Sequence, residues 1–323
     1  MEASAAAESA ESVCAKYLEI FRLRNCTDEP AVGHLIALYR GTPSVLLRHE
    51  AAYALGQMQR EDAVPFLTEV LHDATQDPIT RHEAAEAIGA IGLPQCIATL
   101  RQFADDEAAE VADTCRLALA RLEHQLHKGP CACEKRPAEL LRLEAAAADG
   151  TPYEEAEEKA DGGGDQPAGS AFLSVDPAPP ADAAPLPELA AQLLDGKARL
   201  FDRYRALFAV RDAVPKEGEA AVLALCDALE DDCALFKHEV AFVLGQLESP
   251  VAVPALIKSI SNENEHPMVR HEVAEALGAI GSPEAFELLK AYASSDVEIL
   301  RESCQVALHM YDREAFLAAG ICV

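Results

Sequence analysis

The sequence predicts an all-α fold, an α-solenoid built as two halves of four helical units that face each other and are joined by a flexible linker. Three observations carry this. A phrase of basic residue, His, Glu and a small-aliphatic helical run ending in Gly occurs four times, at 48–56, 81–89, 237–245 and 270–278. His49 and His82 are 33 residues apart, as are His238 and His271, and each first-half histidine stands 189 residues before its second-half mate. Periods of 20 to 50 residues with one helical pattern apiece mark stacked units that bury their apolar faces only against neighbours. Composition agrees: half of the residues are hydrophobic, 5% are aromatic and Trp is absent, which suits helices packed closely through small side chains.

Taken in order, residues 1–12 are Ala, Ser and Glu without periodicity and read as a frayed start. The helical pattern over 15–24 matches 202–211, which makes both the inner helix of a first unit; in the first half that unit lacks an outer helix. An outer helix over 31–39 crosses Gly41-Thr42-Pro43 to the His49 helix. Another, over 63–72, leads to the His82 helix past Asp77-Pro78, because the residue before proline is pushed out of the α region. Segments 94–103 and 110–123 complete a fourth unit, and the second half repeats the plan over 187–194, 203–211, 220–229, 236–247, 251–259, 268–280, 283–293 and 299–311. The expected domains are therefore 1–123 and 186–323. Between them, 124–185 is rich in Gly, Pro, Ala and acid, with too little apolar surface to offset ordering entropy; Phe172-Leu173-Ser174-Val175 is its stretch suited to docking.

The formal charge of −28 argues against nucleic acid as a partner, since phosphate binding needs a basic face. It favours a cationic partner, although surface acidity also serves solubility alone. Residues 1–4 lack the basic start of a secretory signal, and no segment approaches the ~18 apolar residues of a membrane span. The expectation is a soluble, cytoplasmic monomer. Most of the ten cysteines fall inside helical patterns, as Cys115 and Cys304 do, and read as reduced core residues. Cys131 and Cys133, in the linker, lack the further thiols or His pair of a zinc site.

The His–Glu pair occupies the second and third unit of each half and no others. First units carry Tyr17-Leu18 and Tyr204-Arg205 there, and fourth units Asp113-Thr114 and Glu302-Ser303. Helix packing alone gives no reason for that restriction. Side chains at i and i+1 lie about 100° apart, so both can lean toward one point. Helices in contact pack about 8 to 10 Å apart, which puts His49, Glu50, His82 and Glu83 on one surface and His238, Glu239, His271 and Glu272 on another. If the halves face each other, eight donors converge, enough for two metal ions, one per half. Two imidazoles with one carboxylate and open positions are the donor set of non-haem iron(II) oxygenases. A lone buried His is more often a satisfied core group; four in register are not. The His-Glu-x-x-His zinc-protease pattern is excluded, because the fourth residue after each His is Tyr53, Glu86, Phe242 or Glu275. Which Glu of each half would ligate stays open. Arg48, Arg81, Lys237 and Arg270 read as helix-edge charges. Gly56, Gly89, Gly245 and Gly278 cost ~1 kcal/mol each against Ala in a helix, which close helix approach would explain.

The phrases RHEAAEAIGAIG (81–92) and KHEVAFVLGQLESP (237–250), with Ser174-Val175-Asp176-Pro177-Ala178-Pro179-Pro180, resemble the deoxyhypusine hydroxylases, HEAT-repeat di-iron enzymes, over nearly all of the chain outside the linker. The resemblance implies a HEAT-like solenoid that uses two Fe(2+) ions and O2. Its substrate would be the deoxyhypusine side chain, a spermidine-derived extension of one lysine, on the precursor of translation initiation factor 5A; hydroxylation completes hypusine. Carried over by motif, His49, His82 and Glu83 would hold one iron and His238, His271 and Glu272 the other, with Glu50 and Glu239 beside them facing the cationic side chain. An acidic enzyme suits a polyamine-like substrate. Two alternatives are a bilin lyase-like repeat protein, which would bind a tetrapyrrole without needing the His–Glu pairs, and a non-catalytic HEAT scaffold that binds partners on its concave face.

Overall fold

The structure, a computed structural model, describes residues 8–26, 28, 30–127 and 174–311, and among them there is no strand. In the first half, α1 (Ala10–Arg24) is the inner helix of the first unit. The outer–inner pairs α2 (Ala31–Arg40) with α3 (Val45–Gln57), α4 (Val64–His72) with α5 (Pro78–Ile91), and α6 (Ile97–Gln102) with α7 (Ala109–His127) follow. The second half has four complete pairs: α8 (Leu186–Leu193) with α9 (Leu200–Glu217), α10 (Glu219–Asp227) with α11 (Ala234–Leu247), α12 (Val253–Ile260) with α13 (Pro267–Ile280), and α14 (Pro283–Tyr292) with α15 (Glu298–Met310). Among the described residues no outer helix precedes α1.

Local chemistry sets the helix ends. Ser44 caps α3 by accepting from the Leu47 amide, and Asp77 caps α5 by accepting from Ile79, with Pro78 in the first turn. Gly92 and Gly281 close α5 and α13 at φ of 79° and 69°, the left-handed region that glycine enters without a Cβ penalty.

Inner helices stack in sequence, α3 on α5 on α7 and α11 on α13 on α15. The phrase glycines make this possible, because each faces an alanine of the next inner helix. A Cβ on Gly56 would lie 2.6 Å from Ala87 Cα, and one on Gly278 2.8 Å from Ala307 Cα. The stack then closes on itself. α1 packs against α15, which also touches α3, while on the other side α7 packs against α9 and α11. The halves thus meet along two seams and their inner helices surround a common centre. Polar ties cross the first seam: Tyr17 donates to Glu275 Oε2 at 2.8 Å and Ser44 to Glu302 Oε2 at 2.5 Å.

Two expectations need correction. The repeated basic residues are not edge charges. Arg81 and Arg270 are buried, and with Arg203 each donates its Nε–H to the carbonyl ten residues earlier, that of Leu71, Ile260 and Leu193, at the end of the preceding outer helix. They satisfy carbonyls that a helix terminus leaves without partners. Arg48 donates its Nε–H instead to the Thr42 carbonyl in the loop after α2, and Lys237 pairs with Glu265 at 2.7 Å. The linker is also shorter than 124–185: α7 runs on to His127, and 174–181 pack against the body. Ala178 is fully buried, and the Ala181 amide donates to the Arg205 carbonyl at 2.8 Å. Residues 128–173, with Cys131 and Cys133, lie outside the described residues. Of the seven described cysteines all are free and five are buried, whereas Cys26 is exposed. No described helix is long and apolar enough to cross a membrane.

Candidate metal centre

Every His–Glu pair points inward from its helix, α3, α5, α11 or α13, and all eight side chains are buried. The imidazoles converge from both halves. Ring centroids are 5.4 Å apart for His49 and His82, 5.2 Å for His238 and His271, and 5.0 Å across the halves for His49 and His271. His49 Nε2 lies 3.1 Å from Glu83 Oε2, and in the mate pair His238 Nε2 lies 3.3 Å from Glu272 Oε2. In each half the first histidine therefore meets the second glutamate. Glu50 instead sits behind His49, with Oε1 3.1 Å from Nδ1. Donor atoms of His49, His82 and Glu83 fall within 4.8 Å of one another, and so do those of His49, His238 and His271 across the halves; His238, His271 and Glu272 are not drawn that tight as a threesome.

Seven ring nitrogens here, Nε2 of His49 and both of His82, His238 and His271, are buried without a hydrogen-bond partner. The His49 and His238 nitrogens approach carboxylates closely but are not aligned for a hydrogen bond. A buried polar atom left unpaired costs about 1–3 kcal/mol, so this many in one place marks a site built for a ligand. Nitrogen and carboxylate donors together suit a divalent first-row metal.

The electrostatics agree. Six glutamates, residues 50, 83, 86, 239, 272 and 275, line one cavity. Burial, and then mutual repulsion, raises the Glu239 and Glu275 carboxyls well above the ordinary range and brings Glu86 up to about 8. Burial also raises Glu50, against its hydrogen bond to His49. His82 and His271 are pushed well below their usual value by burial and by the other imidazoles, so they are neutral and fit to ligate. His49 is desolvated as well, yet Glu83 and Glu50 hold it well above the usual value. His82 and His271, neutral and set among buried carboxyl groups, have the donor chemistry of a divalent-cation site.

The cavity has a volume of about 520 Å³. Tyr53 and Phe242, each four residues after a histidine, face each other edge-on in its wall with centroids 6.0 Å apart. Ser174, Val175, Asp176 and Pro177 form another wall. That strap is gripped from both halves. Gln57 accepts from the Val175 amide at 2.7 Å, Gln246 donates to Ser174 Oγ at 3.0 Å, and Arg211 donates to both Asp176 oxygens at 3.0 and 2.7 Å. An acidic floor between aromatic walls suits a slender cationic chain.

The sequence reading missed Glu86 and Glu275 as cavity residues, noting them only as the absence of a zinc-protease His. It also missed Tyr17, Gln57 and Gln246. The two glutamines are 189 residues apart, the same spacing that exposed the histidines.

A family model of HEAT repeats matches residues 32–120 and 222–309. Among curated relatives, the chain is 41% identical to the deoxyhypusine hydroxylase of Gallus gallus over 308 residues, covering 95% of this chain and 90% of the relative. It is 42% identical to that of Homo sapiens, over 93% of this chain and 86% of the relative. Among solved structures it superposes on human deoxyhypusine hydroxylase in complex with glycerol with a TM-score of 0.75 at 39% identity, covering 94% of this chain and 96% of that one.

Proposed function

The chain belongs to the deoxyhypusine hydroxylase family, and from that premise we propose that it hydroxylates the deoxyhypusine side chain of the translation initiation factor 5A precursor as an O2-dependent monooxygenase with two Fe(2+) ions. Hydroxylation of deoxyhypusine is the family's reaction, and the same relatives favour it over the bilin lyase-like and scaffold readings. The observation that carries the metal reading is the set of seven buried, partnerless ring nitrogens beside Glu83 and Glu272. His49, His82 and Glu83 would hold one iron, and His238, His271 and Glu272 the other. When bound, the irons supply the redox chemistry by which O2 inserts oxygen into a C–H bond.

The chain's own residues bind and orient the substrate. Glu50 and Glu239 line the cavity beside the ligands and face the substrate's ammonium groups. Their buried carboxylates, ionised at a cost, are compensated when a cation arrives. Glu50 also steadies His49 through Nδ1, turning Nε2 toward Glu83. Tyr53 and Phe242 pack against the methylenes between the charges, and the strap excludes water on one side. The free cysteines suit a reducing compartment such as the cytoplasm. Closure of the ring within one chain supports a monomer.

Metal analysis with single-turnover assays tests the assignment. Wild type should carry two irons per chain. His271→Ala and Glu83→Gln should lose iron and turnover together, whereas Glu50→Gln should keep its iron and lose affinity for a deoxyhypusine-bearing substrate. Full iron content and turnover in His271→Ala would overturn the reading.

A further inference from the structure

The two halves do not hold their third-unit histidines alike. On α13, Glu275 follows His271 by one helical turn, with Oε1 3.7 Å from His271 Nδ1. Its carboxylate is fixed from two other helices: Tyr17 of α1 donates to Oε2 at 2.8 Å, and Ser303 of α15 to Oε1 at 3.3 Å. All three side chains are buried. A residue from the first half thus orients an acid in the second.

The counterparts across the duplication are arranged differently. Tyr204, which matches Tyr17 in the first unit of the other half, donates to the Leu235 carbonyl at 3.1 Å, and Thr114, the mate of Ser303, donates to Glu110 within its own helix at 2.7 Å. Neither reaches Glu86, the mate of Glu275. Among the described residues no ion pair joins Glu86 to His82, and Glu86 is less buried than Glu275.

A clasp across the seam would account for Tyr17 alone, but the Ser44–Glu302 bond already ties that seam. A clasp also gives no reason to bury a carboxylate beside His271 and aim two hydroxyls at it. An imidazole that ligates a metal generally donates its other N–H to a carboxylate, which fixes tautomer and ring orientation. His49 Nδ1 is hydrogen-bonded to Glu50 Oε1 at 3.1 Å, whereas Glu275 Oε1 stands 3.7 Å from His271 Nδ1, just beyond hydrogen-bond reach and a small ring rotation from closing on it.

We propose that Glu275, held by Tyr17 and Ser303, is a positioning residue for His271, keeping Nδ1–H turned to the carboxylate and Nε2 free for a metal, and that Glu86 has no such role toward His82. This rests on the metal reading above. It makes Tyr17 part of a metal position formed mainly by the other half.

The test is zinc(II) binding to iron-free full-length protein by competition with a chelating dye, with 15N-histidine NMR of the zinc-loaded form. Glu275→Gln should weaken one of two zinc ions by about 10- to 100-fold, the usual effect of losing such a carboxylate, and Glu86→Gln should weaken neither. Tyr17→Phe, which keeps the ring's packing, should weaken the same ion several-fold and shift the protonated Nδ1 signal of a single histidine, the one lost in His271→Ala. Glu275→Gln with two wild-type affinities would overturn the proposal, as would equal losses in Glu275→Gln and Glu86→Gln. So would a Tyr17→Phe protein that melts lower while its zinc affinities and His271 signal stay unchanged. Wild type that binds no zinc would instead sink the metal reading itself, and this proposal with it.

Discussion

Replacing Gly56 with Ala should drive α3 away from α5 and loosen the centre they share. The new Cβ would sit 2.6 Å from Ala87 Cα and 2.8 Å from Ala87 Cβ. Carbon atoms rest about 3.5–4.0 Å apart, so the two helices must separate by about 1 Å, and no flexible side-chain end is there to yield. Alanine gains about 1 kcal/mol of helix propensity, but overpacking costs about 1–3 kcal/mol, and a backbone collision belongs at the top of that range. The net loss is about 1–2 kcal/mol, which for a protein of this size lowers Tm by roughly 1–4 °C. The same displacement carries His49 away from Glu83, now 3.1 Å apart, beyond the ~0.5 Å within which such sites must be held. Iron content should therefore fall as well. Gly245→Ala is the control: its Cβ would stand 3.1 Å from Ala276 Cα and 3.2 Å from Ala276 Cβ, a gap closed by a few tenths of an ångström, so propensity and strain nearly cancel. Calorimetry of the metal-free proteins with metal analysis of the loaded ones decides. A Gly56→Ala protein that melts at or above wild type, or a Gly245→Ala protein that falls further, would refute the steric argument.

Stability of the metal-free protein should fall as pH rises from 6.5 to 8. Glu86, raised by burial to about 8, and the other raised glutamates bind protons in the folded state that the unfolded chain has released above 4.5, so their contribution is complete below 4.5 and lost as pH climbs through the folded value. His49 acts in the same direction, while the depressed His82 and His271 destabilise only below 6.5. Melting in chelator should thus show a lower Tm at pH 8 than at pH 6.5, and iron should flatten the slope; a Tm that rises over this range in chelator would count against the buried carboxylate ring. Asp176→Ala removes two bonds to the buried Arg211 guanidinium but leaves Asp212 and Gln246 in contact with it. Its cost should be about 2–3 kcal/mol, below that of a fully orphaned buried charge, and a denaturation midpoint equal to wild type would show that the strap is only loosely held.

The repeat plan was legible because a solenoid's contacts are made between neighbouring units, so each unit repeats the same demands on its sequence. The histidines stood out because they fall where stacking asks for alanine or leucine. Ring closure was not legible in the same way. Tyr17 and Glu275 are 258 residues apart, and no periodicity says which end of one half meets which end of the other. The arginines were misread because a charge at a helix edge and a guanidinium turned in to cap a neighbouring helix look alike until Leu71 or Ile260 is placed beside it. The strap was half seen: its composition is that of a tether, and only the buried Arg211 and the two glutamines convert it into a wall.

Duplication gives the halves an approximate dyad, yet the segment that Gln57 and Gln246 both grip is a single stretch of chain and has no dyad of its own. One glutamine meets backbone and the other a hydroxyl, so lobes that arose alike have unlike surroundings. A linear substrate is likewise polar from end to end. With one wall of the chamber formed by the strap, such a molecule has a heads and a tails orientation before any chemistry begins.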